Sequence, residues 1–151
     1  LITIALLLNY KLRLVKSLED IGRKSFGTIS YGLSISFLSI LFWSKYPSAV
    51  IAGVLVMSFG DGLAGIIGRK VKSPSWVILD QKKSLAGTLV MGITAMMTLF
   101  AVNQMFDLYL TGIDILKITS LAVLLEQVSP FGIDNITVPI GVAFMWRWLI
   151  Q

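Results

Sequence analysis

The sequence predicts an all-α integral membrane protein, a multi-span helical bundle that forms one domain over residues 1–151. Of these residues 56% are hydrophobic and 14% are charged, and the mean hydropathy is +0.83. A soluble domain of this length does not need so much apolar sequence, whereas several membrane spans do. The apolar residues also fall in runs that polar or basic loops separate. We therefore expect about five complete or partial spans, preceded by the tail of an earlier one.

Each expected span is an apolar run that ends at a polar, basic or proline-containing loop. The five runs are residues 26–43, 48–68, 85–102, 115–128 and 136–150. The last two are short for a hydrocarbon core of about 30 Å, so we expect them to be partly embedded or packed behind their neighbours. Residues 9–24 place apolar side chains at helical spacing among cations, which predicts a short helix lying in the membrane interface.

The first residues resemble the end of a further span. Residues 1–8 are apolar, and the chain begins at Leu1 without a methionine. No basic segment of the kind that opens a signal peptide precedes them. We expect that the sequence is truncated at its N-terminus.

The basic residues predict which side of the membrane each loop occupies. Loops 9–25 and 69–84 hold five Lys or Arg each, whereas loop 44–47 holds one and loop 103–114 none. Cytoplasmic loops are enriched in Lys and Arg, so the first two loops should be cytoplasmic, and alternation adds loop 129–135. The net charge of +5 thus flanks apolar runs, which indicates a lipid bilayer as partner and no nucleic acid.

Residues 56–70 are the most informative stretch, because this glycine-rich part of the second span contains a carboxylate. A charge inside an apolar span is costly, so Asp61 needs a function or a partner. At helical spacing it shares a face with Gly65 and Gly68, where the lack of bulk admits a ligand or another backbone. About eight residues, roughly 12 Å of helix, separate Asp61 from Arg69. Asp61 is expected to hold Mg²⁺ or to activate a hydroxyl; the alternative is a structural hydrogen bond.

Residues 81–88, Gln-Lys-Lys-Ser-Leu-Ala-Gly-Thr, lie where a polar loop enters the third span. Lysine charge, a helix N-terminus and small residues together suggest a phosphate site. The simpler interpretation is anchoring of the loop by Lys82 and Lys83, with Ser84 as the N-cap of the helix. The P-loop pattern is missing. Trp76, just before this segment, fits an aromatic belt at the membrane surface.

Two further carboxylates, Glu126 and Asp134, lie near the last connection on the same expected face. The simpler interpretations are that Glu126 extends to the interface and that Asn135 is an N-cap, with Pro139 in or near the first turn. The chain has no Cys and no His, so metal ligands must be oxygens, which suits Mg²⁺. Three carboxylates beside clustered cations indicate chemistry on a metal-bound nucleotide.

At these residues the sequence resembles the CTP-dependent polyprenol kinases, a family that includes dolichol, phytol and farnesol kinases. Three elements in the family's order carry the resemblance: residues 59–64 with Gly68 and Arg69, residues 83–88, and Glu126 followed by residues 132–139. Residues 22–28 look most like the cyanobacterial phytol kinase branch. The sequence departs from the family pattern at Ala86, where many members have Glu, and it lacks the family's earlier RKxxH element.

The resemblance implies transfer of the γ-phosphoryl group of CTP to the hydroxyl of a long-chain isoprenoid alcohol, with phytol as the expected substrate and Mg²⁺ as the expected cofactor. It implies a multi-pass protein of a cyanobacterial plasma or thylakoid membrane, or of a plastid membrane. The implied catalytic residues are Asp61, Lys83, Glu126 and Asp134, and the three carboxylates are also the implied metal ligands. The implied nucleotide contacts are Gly60, Gly62, Arg69, Lys70, Lys82, Ser84, Gly87 and Asn135.

Other functions stay open at this stage. A phosphatidate cytidylyltransferase also uses CTP and Mg²⁺ but releases pyrophosphate, and a kinase for a phosphorylated alcohol would need a different acceptor. A small membrane transporter could use Asp61 and Glu126 as a relay. The expected clustering of the carboxylates at one face, beside lysines, favours the kinase.

Overall fold

The computed structural model describes residues 27–79, 81–130 and 132–151. They form five α-helices and one antiparallel β-hairpin: α1 Gly27–Phe42, α2 Pro47–Lys70, β1 Ser75–Ile78, β2 Gln81–Ser84, α3 Leu85–Met105, α4 Gly112–Val128 and α5 Asp134–Leu149. A helix at each of the five apolar runs is thus confirmed, with ends that shift by a few residues. The expected interfacial helix, the tail of an earlier span and most of the element at residues 22–28 lie outside the described residues.

The hairpin corrects the prediction of a purely helical fold, which treated residues 69–84 as an irregular connection. Its register pairs Trp76 with Lys83 and Val77 with Lys82. Side chains alternate between the two faces of a strand, so Val77 and Lys82 are exposed while Trp76 and Lys83 are partly buried. The β-branched and aromatic run at Trp76-Val77-Ile78 was the local signal for a strand.

Two helices of the described chain, α2 and α3, are long and apolar enough to cross a membrane. They form the most extensive helix pair of the bundle. Helix α1 is also apolar but has 16 residues. The coarser prediction, a predominantly helical protein with apolar helices of spanning length, is therefore confirmed.

Helix α5 lies at the centre and packs against α1, α2 and α4. Its inward face, which includes Val138, Val142 and Trp146, is fully buried. Where α5 meets α2, a Cβ on Gly53 would lie 2.3 Å from the carbonyl oxygen of Pro139. The two backbones can approach this closely only because residue 53 has no side chain.

Pro139 lies inside α5 and leaves one backbone carbonyl without its helical partner. Proline has no N–H, so the carbonyl of Asn135, four residues earlier, cannot receive the usual helix bond. The buried Ser34 hydroxyl of α1 donates to that oxygen instead, at 2.9 Å. The structure also corrects the predicted N-cap: α5 begins at Asp134, so Asn135 lies within the first turn and is not the cap.

Candidate active site

Charged side chains from four elements meet at the hairpin end of the bundle. Lys83 comes from β2, Glu126 from the last turn of α4, Asp134 from the start of α5 and Asp61 from α2. The Asp61 carboxylate is close enough to feel the charges of the other three and of Arg69. The convergence predicted from loop charges is therefore confirmed for these residues.

The Lys83 ammonium forms the central contact of this end. It donates to the Glu126 carboxylate at 2.5 Å and to the Glu126 backbone carbonyl at 2.8 Å. Both side chains are 10% exposed, so the pair is shielded from water and interacts more strongly than a surface ion pair. Lys83 is thereby held at a defined position between the hairpin and α4.

Gln127, the residue after Glu126, extends this contact into a network. Its amide nitrogen donates to the second Glu126 oxygen at 2.7 Å and to the Thr88 hydroxyl at 2.9 Å. Its amide oxygen accepts from the Trp76 indole N–H at 3.1 Å. Trp76, which was expected in an aromatic belt at the membrane surface, therefore also has a hydrogen-bond partner inside the protein. Sequence reasoning missed Gln127 and Thr88 as network members, because neither residue type nor local spacing distinguishes them.

Asp61 is partly exposed, and no hydrogen bond reaches its carboxylate from the residues that the structure describes. On the same helix, Gly62 and Gly65 border open space, since a Cβ on either would meet nothing within 4 Å. The surface beside the carboxylate is therefore smooth and accessible. This arrangement leaves Asp61 available to a ligand.

The other glycines of this helix serve helix packing. Gly60 is buried against Met91 of α3, where a Cβ would lie 2.4 Å from the sulfur. A Cβ on Gly68 would lie 2.8 Å from the Ser84 hydroxyl and 3.3 Å from the Cα of Gly87. The glycine-rich face was expected to admit either a ligand or another backbone. At Gly68 it admits the backbone of α3 at Gly87. The nucleotide contacts predicted for Gly60 and Gly87 stay predictions beside these packing roles.

The N-terminus of α3 has its first amides engaged by the protein. The Leu85, Ala86 and Gly87 N–H groups donate to the Pro74 carbonyl at 2.9 Å, the Ser73 hydroxyl at 3.1 Å and the Ser84 hydroxyl at 3.2 Å, respectively. The N-cap interpretation of Ser84 is confirmed. A phosphate could bind these amides only after the present hydrogen bonds opened. The lysine side chains are therefore the better candidates for phosphate contacts.

Asp134 and Asn135 interact at the start of α5. Asp134 is buried, and one of its carboxylate oxygens accepts from the Asn135 backbone N–H at 2.9 Å and from its side-chain amide at 3.1 Å. The preceding turn contains Gly132 at φ 85°, a conformation that favours glycine. The other Asp134 oxygen accepts from no group in the part of the chain described.

Three of the predicted nucleotide-contact cations are exposed. Arg69 and Lys70 end α2, where positive charge complements the helix dipole, and Lys82 lies on the outer face of the hairpin. Within residues 27–79, 81–130 and 132–151, none of the three forms an ion pair with a carboxylate. They are free to meet an anion that arrives from solvent.

The predicted metal ligands do not form a ready-made three-ligand cluster. Among the described residues, no group of three or more Asp or Glu is placed to hold a metal ion. Glu126 is engaged by Lys83 and Gln127, whereas the Asp61 oxygens accept from no group in the described part of the chain. The oxygen donors of Asp61 and Asp134 suit a hard cation such as Mg²⁺, and the full ligand set stays a prediction.

Comparison with known proteins identifies relatives of this chain. A protein of Synechocystis sp. named phytol kinase is 36% identical over 145 residues, which cover 91% of this chain and 60% of that protein. The chain belongs to the phytol kinase family. Other relatives are a probable chloroplastic phytol kinase of Zea mays, 32% identical over 92% of this chain and 52% of that protein, and chloroplastic phytol kinase 1 of Arabidopsis thaliana, 35% identical over 52% of this chain and 26% of that protein.

The chain spans 60% of the Synechocystis phytol kinase and 52% of the maize protein. No protein-family model matches it. No solved structure matches it either. The family assignment therefore comes from its curated relatives.

Proposed function

We propose that this protein is a phytol kinase that transfers the γ-phosphoryl group of CTP to the hydroxyl of a long-chain isoprenoid alcohol. The observation that carries the proposal is that Asp61, Lys83 and Asp134, from three separate elements, lie close enough at one end of an apolar bundle to interact electrostatically. Similarity to proteins named phytol kinase supports the alcohol as acceptor. The choice of CTP as donor comes from the family resemblance.

The apolar surface supports a multi-pass membrane protein with the candidate site at one membrane face. Large apolar side chains point outward from α1 and α3, including Ile40 at 87% and Met97 at 66% exposed. Such a surface is unfavourable in water and favourable against lipid. An isoprenoid alcohol dissolves in the bilayer while a nucleotide stays in water, so the two can meet only near the interface, where the site lies.

Each described side chain has a defined task in this reaction. The alcohol oxygen bonds to the γ-phosphorus, the bond from that phosphorus to the bridging oxygen breaks, and CDP leaves. The Lys83 ammonium, with Arg69 and Lys70, offsets phosphate charge. Asp61 lies where it can accept the hydroxyl proton or hold Mg²⁺ together with Asp134. When bound, Mg²⁺ would supply further neutralisation of phosphate charge.

The test uses membranes that carry the full-length protein, γ-labelled CTP and phytol, with an Asp61→Asn variant in parallel. We expect label in phytyl monophosphate that depends on Mg²⁺, is lost on chelation and is lost in the variant. Pyrophosphate released with phosphatidate, and no labelled lipid from phytol, would instead establish a cytidylyltransferase. Label that appears in lipid only when phytyl monophosphate is the acceptor would show that the protein phosphorylates the phosphorylated alcohol and not the free alcohol.

A further inference from the structure

We propose that Trp76, Lys83, Glu126 and Gln127 form a positioning bracket that holds the Lys83 ammonium for the nucleotide phosphates. The inference rests on the proposed function and deepens it. It makes Glu126 a positioning residue, not a metal ligand. It also adds Trp76 and Gln127, which act on the reaction only through Lys83.

Both oxygens of the Glu126 carboxylate accept hydrogen bonds within the protein. One oxygen accepts from Lys83 and the other accepts from the Gln127 amide. The residue is 8% exposed. A metal ion at Glu126 would lie beside the Lys83 ammonium, whose positive charge repels a second cation. Asp61, which no described group engages, is the better metal ligand of the two.

Lys83 keeps one donor for a ligand. An ammonium has three N–H groups, and two of them donate to the side chain and the backbone carbonyl of Glu126. The third has no acceptor within the described part of the chain. Asp61 and Asp134 both feel the Lys83 charge, so the ammonium lies near the carboxylates of the candidate site. A phosphate oxygen is the acceptor class that matches a fixed cation at this place.

Trp76 determines how Gln127 is oriented. The indole N–H can only donate, so the atom of Gln127 that meets it must be the amide oxygen. The amide nitrogen is then directed to Glu126 and Thr88. This orientation leaves Glu126 with one oxygen facing Gln127 and the other facing Lys83. The position of the Lys83 ammonium therefore depends on Trp76 through Gln127 and Glu126.

The hairpin register makes the bracket a single rigid unit. Trp76 and Lys83 are direct cross-strand partners, and they contact two consecutive residues of α4, Gln127 and Glu126. Cross-strand partners have Cβ atoms about 5 Å apart, which matches the separation of neighbouring residues on a helix end. Two adjacent contacts prevent the hairpin from pivoting about either one.

The test is a charge reversal in the full-length protein, Lys83→Glu with Glu126→Lys, compared with each single change. Thermal unfolding and binding of labelled CTP are measured on the same detergent-solubilised samples. We expect the double variant to recover most of the stability that each single variant loses, while its CTP affinity stays roughly 10²-fold low. Recovery of CTP binding together with stability would overturn the bracket, because the ion pair would then be only structural.

Trp76→Phe keeps an aromatic six-membered ring and removes the indole N–H together with the five-membered ring, so it tests the bracket even if the reversed pair does not fold. We expect a several-fold rise in KM for CTP with little change in KM for phytol. Unchanged KM for CTP would contradict the proposal. Lys117→Gln is the matched control, since Lys117 forms an exposed ion pair with Asp114, and it should change neither constant.

Glu126→Gln separates positioning from metal binding, because the amide oxygen can still accept from Lys83. The Mg²⁺ concentration for half-maximal activity should stay within about twofold, whereas loss of a true metal ligand would raise it by roughly tenfold or more. Such a rise would overturn the assignment. If the wild-type protein binds no CTP, the proposed function itself is wrong. If the wild-type protein binds CTP and the charge-reversed double variant binds it equally well, only the bracket is wrong.

Discussion

Lys83 and Glu126, 43 residues apart in the chain, form a shielded ion pair in which the ammonium also bonds the backbone carbonyl of its partner. This contact ties the hairpin between α2 and α3 to the last turn of α4. It places the Lys83 ammonium near two carboxylates of neighbouring helices, Asp61 of α2 and Asp134 at the start of α5. The pair therefore links the fold of the bundle to the chemistry proposed at its end.

Breaking this pair from one side should be costly. Lys83→Met leaves the Glu126 carboxylate buried without its cation, so we expect a loss of about 3–5 kcal/mol in the free energy of unfolding. Adding Glu126→Leu should recover much of that loss without recovering activity. Chemical denaturation in detergent and the phytol kinase assay measure the two effects. A single variant as stable as the wild type would contradict the buried-pair assignment.

Asp61→Asn should separate activity from stability. The carboxylate has no hydrogen-bond partner among the described residues, and burial with repulsion by Asp134 and Glu126 outweighs attraction by Lys83 and Arg69. Removing its charge should therefore leave the thermal midpoint unchanged or slightly higher, while activity falls by roughly 10²-fold or more. Asp107→Asn is the control: Asp107 is exposed at φ 48°, which asparagine tolerates, and it should alter neither quantity.

Gly53→Ala should disrupt the contact between α2 and α5. The new Cβ would lie 2.3 Å from the Pro139 carbonyl oxygen, and a backbone atom cannot move aside as a flexible side chain would. We expect a loss of about 1–3 kcal/mol or more, read from the unfolding midpoint. Gly112→Ala, where a Cβ meets nothing within 4 Å, should be neutral. Equal behaviour of the two variants would refute the close approach.

Gly68→Ala should weaken both the fold and the site, because Gly68 lets the end of α2 meet Ser84 and Gly87. The added methyl group would force the hairpin end of α3 outward and shift Lys83 with it. Gly112→Ala, at the opposite end of α4 from Glu126 and open to space, is the control. We expect lower activity and a lower unfolding midpoint in the first variant only. Comparable activity in both would show that the helices do not meet there.

The bond from Ser34 to the Asn135 carbonyl should depend on Pro139. Ser34→Ala leaves a buried carbonyl unpaired, which costs about 1–3 kcal/mol. In a Pro139→Ala background the new N–H can donate to that carbonyl along the helix, so the same Ser34→Ala change should cost less. A double-mutant cycle of unfolding free energies measures the coupling. Strict additivity would show that Ser34 does not replace the missing helix bond.

Local sequence was sufficient to predict the helices and to single out Asp61, while the family resemblance added Lys83, Glu126 and Asp134 as catalytic candidates. Run length, hydropathy and loop charge are properties of neighbouring residues, and a carboxylate inside an apolar run stands out without any structure. The same patterns could not reveal the hairpin, since its four-residue strands are shorter than the window in which periodicity is clear.

Run length and loop charge predicted that apolar helices bring polar loops to one end, and they selected charged residues there whose roles stay predictions. The packed structure was needed to see what each residue touches: Glu126 is engaged by Lys83 and Gln127, Gly60 and Gly68 pack helices, and Asp61 has no hydrogen-bond partner among the described residues. Sequence separation explains the difference. The hydrogen bonds that join the hairpin and α3 to α4 connect residues 39 to 51 positions apart, and no local pattern encodes which of several lysines, glutamines or carboxylates will meet once the helices pack.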